Sequence, residues 1–538
     1  MVAGDYDYIV IGSGSAGGIV AARLSENGTF RVLCLEAGTK GSGYVFTQPP
    51  AGTVFLIDNP KVNWRYRSEP NAGLGGREIY VPRGKMLGGS SSINGTIYNR
   101  GQRIDYDTWA QMGCRGWSYE DVLPFFRKIE TTDLGEDRYR GRSGPVRVTE
   151  AAKTSPFYDL FIAAAQAAGL PYNRDYSGAS QEGVAMAQQT VHRGKRRSTA
   201  NCYLEPAARR PNLDVVAGAE VTSLILDGKR CTGVRYRKDG QAVEARATRE
   251  VIVSCGAANS PKLLELSGIG HPDILAEAGV APVHELPGVG ENLRDHYAAI
   301  LKWRFTRPGI SLAKKGRGLG LVMEVLRYGL TRTGFISQGI GTMRVFAKSL
   351  PEKEEPDIMM VVAPFLIEMK TGEGRRMSKE DGFFMYSHLQ RTESAGSIHI
   401  RSADPLAPPR IDFRFLETEN DRRTSILAVR RAREIIAAEP MASVVGEELA
   451  PGRAVESDED ILDFIRKTGQ ITHHMVGTCR MGHDPMAVVD DRLRVHGIAG
   501  LRVADASVMP TVPSGNTNIP CMMVGEKCAA MVLEDAGV

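Results

Sequence analysis

The chain has 538 residues, 67 Lys plus Arg against 63 Asp plus Glu, a formal charge of +4 and 42% hydrophobic residues. So even a balance argues against a nucleic-acid-binding protein. At about 100–200 residues per domain, the length predicts a large core in more than one unit. The longest apolar run, "IMMVVAPFLI", is too short to cross a bilayer, so no integral membrane segment is expected.

The eight cysteines are scattered and form no C-x-x-C pair, and several lie in apolar strands such as "VLCLEAG". They read as buried reduced thiols, which predicts a cytoplasmic protein. The N-terminal "MVAGDYDYIVIGSG" shows no basic region followed by an apolar stretch and a cleavage site.

Taken in chain order, Tyr8–Ile11 is a continuous apolar strand, followed by Gly12, Gly14 and Gly17 in G-x-G-x-x-G spacing. "SAGGIVAARLSENG" predicts a helix ending at Gly28, Val32–Leu35 a second buried strand, and Glu36 stands at its end. Gly12 permits the tight turn, Gly14 leaves room for a pyrophosphate, and Gly17 lets helix and strand pack closely. Ser15 and Ala16 open the helix, whose free N–H groups and positive dipole end favour phosphate. Glu36 can bond ribose hydroxyls, with Ala37 beside it. Strand, turn, helix, strand and acid in this order predict one dinucleotide site, an α/β fold of Rossmann type; the fingerprint does not separate FAD from NAD.

Further on, "GKMLGGSSSINGTIY" spans Gly84–Tyr98, where Gly88 and Gly89 permit a bend and Ser90 and Asn94, followed by Gly95, offer donors. The basic run "HRGKRRS" (His192–Ser198) reads as solvated surface. "VVAGAEVTSLIL" predicts strand, turn and strand around Val221. "GSIHIRSADPLAPPRIDFRFL" alternates with period two between prolines, as antiparallel strands do, and "RTSILAVRRAREIIAAE" reads as an amphipathic helix. Toward the end stand "HHMVGTCRMG" and "LRVADASVMPTVPSGNTNIP". A zinc site at His473 and His474 is not expected. Adjacent strand residues face opposite ways, and His483 and His496 offer no ligand spacing.

Together with "GAANSPKLLELSGIG" and "LPGVGENLRDH", these segments resemble the glucose–methanol–choline (GMC) family of FAD-dependent alcohol oxidoreductases, most of all its bacterial choline dehydrogenase and hydroxymethylfurfural oxidase types. The resemblance runs through the whole chain. It implies a discontinuous FAD-binding domain (1–160, 195–310 and 467–538) and a substrate domain on an antiparallel sheet (161–194 and 311–466). The loop at 84–98 would wrap the flavin and pyrophosphate, the Val221 backbone would meet adenine, and Asp505, Ala506 and Thr517 would reach the cofactor. Ile93 stands where some relatives carry a flavin-linking histidine, so noncovalent FAD is expected.

The resemblance places an active-site histidine four residues before Thr478, at His474, and its partner ten residues before Glu526, at Asn516. The chemistry suits them. An alcohol yields hydride more readily once its proton is drawn off, and imidazole titrates nearest working pH. Asn516 would orient the substrate oxygen, and would also touch the cofactor. Asn518 is expected to cap the last helix, with Pro520 in its first turn. His473, Phe365, Ala363 and Met385 are candidate pocket residues. Expected partners are a neutral primary alcohol, rather than choline, and O2 or a soluble, quinone or cytochrome electron acceptor, in a monomer or homodimer. The alternative is a non-redox hydroxynitrile lyase on the same fold.

Overall fold

The computed structural model describes residues 2–41, 43–370 and 374–538. In chain order its main elements are β1 (Val2–Ile11), α1 (Gly17–Leu24), β2 (Val32–Glu36), α2 (Phe157–Ala167), β3 (Gly183–Met186), β4 (Leu213–Ala217), β5 (Glu220–Asp227), β6 (Arg230–Lys238), β7 (Gln241–Val253) and β8 (Tyr297–Phe305). There follow α3 (Gly318–Thr331), β9 (Met343–Ala347), β10 (Ile358–Ala363), β11 (Gly382–Leu389), α4 (Glu419–Ala437), β12 (Val445–Ala450), β13 (Gln470–Ile471), β14 (Leu501–Val503) and α5 (Asn518–Asp535).

The apolar run Tyr8–Ile11 is buried because β1 lies between parallel neighbours, β2 and β7. The first sheet has the order β4-β2-β1-β7-β6-β5, with β14 added parallel to β7. Helix α1 stops at Leu24 rather than continuing to Gly28. The Ser25 N–H still bonds Ala21 O, and Gly28 takes a left-handed φ of 73° in the turn that leads to β2.

The second sheet, β12-β8-β11-β10-β9-β3 with β13 on β8, is antiparallel throughout. The helix expected from "RTSILAVRRAREIIAAE" is α4, started by the Thr418 hydroxyl accepting from Asp421 N–H. Its apolar face packs on β11 and α2. Two boundaries differ from the sequence expectation. Strand β8 begins the second sheet at Tyr297, inside the segment 195–310 assigned to the cofactor domain, and β13 keeps residues 470–471 in that sheet too. The alternating burial of β8 is that of any half-buried strand, so its apolar pattern does not say which sheet it joins.

Helices α1 and α5 cross so closely that a Cβ on Gly525 would lie 2.7 Å from Ala16 O. The crossing is locked by Glu526. Its fully buried carboxylate accepts from Arg23 Nη2 (2.8 Å) and the Tyr203 hydroxyl (2.9 Å), and pairs with Lys128 at 3.1 Å. Removing one partner of such a pair strands the other charges. Glu526→Ala is expected to cost about 3–5 kcal/mol in urea unfolding, and a loss under about 1 kcal/mol would show that the crossing does not depend on it.

Candidate active site

One large cavity runs between the two sheets. At the first-sheet end it is bordered by Gly12, Gly14, Ser15, Ala16, Glu36 and Ala37 of the fingerprint, by Gly89, Ser90, Asn94 and Gly95 of the glycine loop, and by Val221, Asp505 and Ala506. Gly12 has φ 92°, and a Cβ there would meet Ser254 O at 2.4 Å. A Cβ on Gly14 would meet nothing within 4 Å, so the open space in front of it is cradle rather than packing. Gly17 and Gly88 stand behind the wall: a Cβ on Gly17 would lie 2.0 Å from Gly12 O, and one on Gly88 2.3 Å from Ser92 Oγ.

Glu36 Oε2 accepts from Ser13 N–H (3.1 Å) and Ser13 Oγ (2.6 Å), and Oε1 accepts from Gly38 N–H (2.9 Å). That leaves Oε1 one lone pair for a hydroxyl donor. Burial raises its pKa, opposed by the Ser13 and Gly38 donors. Asp505 acts as a cap. Its carboxylate accepts from Ser507 N–H, Gly256 N–H and Ser260 Oγ, tying the loops at 256–260 and 505–508 beside the cavity. Asn94 is held by Arg196, whose Nη1 bonds its Oδ1 (2.7 Å) and carbonyl (2.6 Å). The basic run at 192–198 is therefore not wholly solvated, because Arg196 is buried and burial lowers its pKa to about 9.

Helix α5 brings Asn516, Thr517 and Asn518 to the wall. Asn518 is not the cap. Thr517 occupies that position without a side-chain bond, while Asn518 Oδ1 accepts from Ser15 Oγ at 2.8 Å. The residue preceding α1, Ala16, likewise gives no side-chain cap. Two uncapped helix N-termini thus border one cavity, a setting that favours negative charge.

At the other end, His473 and His474 both border the cavity. The chain there is a bend rather than a strand, and His473 has φ 69°, so the opposite-faces expectation fails. A non-glycine residue in this region is strained, a feature typical of functional sites. The His473 carbonyl accepts from Arg83 Nη1 (2.9 Å), and His474 N–H is held by Asp295 Oδ1 (2.8 Å). Burial lifts the Asp295 carboxyl to about 7.

The hydrogen bonds of His474 define its tautomer. His296 Nε2 lies 2.7 Å from Gln390 O, so it carries the proton, and the neutral ring leaves Nδ1 bare. His474 Nδ1, 2.9 Å from that nitrogen, must then donate to it, with Thr472 Oγ also 2.7 Å away. His474 Nε2 is left bare on the cavity side, where Asn516 Nδ2 donates to it at 2.9 Å. Burial pushes the pKa of His474 and His296 well below the usual histidine value, and that of neighbouring His388 to about 4. Asn516 Oδ1 is buried and has no partner among the described residues.

The chain matches the GMC oxidoreductase family over residues 6–298 and again over residues 392–525. It belongs to the GMC oxidoreductase family. It is 40% identical over 529 residues to the oxygen-dependent choline dehydrogenase of Brucella suis, covering 98% of this chain and 95% of that protein. It is 41% identical over 536 residues to the mitochondrial choline dehydrogenase of Homo sapiens, covering 98% and 90%. Among solved structures it is similar to pyridoxine 4-oxidase from Mesorbium loti (TM-score 0.88, 28% identity, 98% and 99% coverage) and to formate oxidase (TM-score 0.91, 26% identity, 100% and 99%). This GMC protein is an FAD-dependent alcohol oxidoreductase.

The cavity fits FAD. The cradle at Gly14, the spare acceptor of Glu36, the uncapped helix ends and the orphaned Asn516 Oδ1 are what a pyrophosphate, a ribose and a polar ring would use. Ile93 borders the cavity from a small core with Leu56, Val62 and Met86 and offers no atom for a flavin link. Among the described residues no group of three or more His, Cys, Asp or Glu could hold a metal.

Phe365 does not border the cavity. It stands one layer back, edge-on to Phe384 at 5.5 Å, and Phe384 and Tyr386 form the wall. Met385 points into the core and Ala363 joins the Phe365 cluster. Strand alternation makes 384 and 386 the cavity face of β11, a parity that sequence alone leaves open. Sequence reasoning also missed His296, Thr472, Arg83 and Arg344. Only His296 carried a signal, as the last residue of "LPGVGENLRDH".

Two predictions follow from this geometry. Acid precipitation should release all flavin into the supernatant, and colour retained in the pellet would establish a covalent link. Second, His296, His388 and His474 are neutral when folded and protonate near pH 6.5 when unfolded, so their contribution is present above pH 6.5 and lost as pH falls below it. The thermal midpoint should drop between pH 6.5 and 4, each group contributing up to about 1.4 kcal/mol per pH unit. His388→Gln should flatten that slope, and an unchanged slope would refute the assignment.

Proposed function

We propose that His474 is the base and Asn516 the orienting amide for oxidation of a neutral alcohol to its aldehyde. The observation that carries this reading is the bare Nε2 of His474, bonded to Asn516 Nδ2 at the cavity wall. FAD, when bound, supplies the acceptor for the hydride that leaves the alcohol carbon with its electron pair. The protein's own part is proton chemistry. His474 Nε2 takes the hydroxyl proton, while its Nδ1–H stays held by His296 Nδ1 and Thr472 Oγ. The buried ring resists charging, so it remains a base down to low pH, and it charges only as the substrate oxygen becomes anionic beside it. Asn516 Nδ2 donates to that oxygen without titrating.

Substrate charge follows from the cavity's cations. Arg83 and Arg344 both border it, and Arg344 Nε is buried with no hydrogen-bond partner among the described residues. The bordering carboxylates, Glu36, Glu220 and Asp505, all belong to the first-sheet side. At the histidine end a quaternary ammonium would find two bordering cations and no bordering carboxylate, Asp295 standing behind the wall with its carboxyl raised to about 7, which supports a neutral primary alcohol over choline, despite the relatives' names. The relatives are named as dehydrogenases and oxidases, which supports redox turnover over the lyase alternative and O2 as one acceptor. The eight free cysteines support a cytoplasmic setting.

The test is anaerobic flavin reduction followed by an alcohol panel. His474→Ala should slow reduction about 10²–10⁴-fold with FAD retained, and near-normal reduction would remove His474 from the role. Asn516→Ala should be milder, and loss of FAD there would reassign it to cofactor binding. Benzyl alcohol and a linear primary alcohol should exceed choline in kcat/KM with O2 or a dye; choline about tenfold ahead would overturn the substrate reading.

A further inference from the structure

Helix α3 is folded inside out. Its inward face carries Glu324, whose Oε2 accepts from Phe335 N–H at 2.7 Å, and Tyr328, whose hydroxyl donates to Gly194 O at 2.9 Å. Its outward face is apolar: Leu319 (76% exposed), Val322, Met323 (63%), Leu326 (60%) and Leu330 (86%) recur at i, i+3, i+4, i+7 and i+11, with Val325 alongside. A surface helix ordinarily turns such a stripe to the core. The apolar surface continues beyond the helix. The turn Phe335–Ser337 packs on α3 and on Pro50–Gly52, beside which Val45, Phe46 and Phe55 are exposed, the two phenylalanine rings 4.5 Å apart.

This surface is rimmed by cations. Lys314, Arg327 and Arg332 are exposed at the two ends of α3, and Arg193 and Lys195 on the hairpin at 191–196 that meets Tyr328 and Arg332. Residues 192–198 and 314–337 carry no exposed carboxylate, since Glu324 is buried. We propose that this face docks on an anionic lipid surface, with the apolar stripe entering the headgroup boundary and the cations meeting phosphates. An exposed apolar stripe with a basic rim is the pattern of an interfacial helix, with no bilayer crossing. The charge favours lipid over a second copy, because a twofold contact through this face would bring like cations together. The face also adjoins the cavity wall: Phe335 packs edge-on to Phe365 at 5.9 Å, and Phe365 on Phe384. The inference rests on this surface alone and is independent of the role given to His474.

The experiment is flotation of the holoenzyme with phosphatidylcholine vesicles, with and without about one-third phosphatidylglycerol. Wild type should float with the anionic vesicles at least about tenfold more than with neutral ones, and salt should release it. The double variant Met323→Glu, Leu326→Glu should stay at the bottom while oxidising a short soluble alcohol at the wild-type rate, which shows that it is folded. Wild type that does not float with either vesicle overturns the proposal. So does a wild-type dimer in light scattering that the double variant converts to monomer, which would assign the face to a second copy.

Discussion

One carbonyl oxygen, that of Gln390, decides which nitrogen of His474 is bare. It takes the only proton of a neutral His296, which obliges His474 to donate through Nδ1 and to present an empty Nε2 to the cavity. Burial enforces the arrangement, because a second proton on any of these rings would be a charge without solvent. The unprotonated nitrogen of His474 is thus set by a backbone carbonyl just beyond β11, acting through a ring that does not border the cavity.

The other half of the site is a matter of helix ends. Helices α1 and α5 cross at Ala16 and Gly525 and are pinned by Glu526 to Arg23 and Tyr203. That crossing brings both uncapped N-termini to one cavity, where peptide dipoles favour a bound anion. Asn516 precedes α5 directly, so the lock that holds the cofactor end together also places the amide against His474. The cofactor end and the His474–Asn516 pair therefore share one mechanical support.

The second sheet contributes one wall of the cavity and its surroundings. Its β11 strand faces the cavity with Phe384 and Tyr386 and turns Phe383 and Met385 to the core. Arg344 on β9 adds a buried cation to the cavity wall. Beyond the same wall, α3 turns its apolar stripe to solvent.

The sequence by itself determined the parts whose cause is local. Glycine spacing after an apolar strand predicted the fingerprint turn, and the positive φ at Gly12 and the cradle at Gly14 follow from a missing Cβ. The family resemblance of the C-terminal segments points to His474 and Asn516, and both border the cavity. What only the tertiary structure decided are the long-range choices. These are His296 reaching His474 across 178 positions, the left-handed His473 that turns both histidines to one side, and Asn518 bonding Ser15 rather than capping its helix. The parity that put Phe384 rather than Phe365 on the wall and the sheet that claimed Tyr297–Phe305 belong with them. Periodicity records that a residue is buried, whereas which partner buries it depends on chain segments hundreds of residues apart, and no local pattern carries that information.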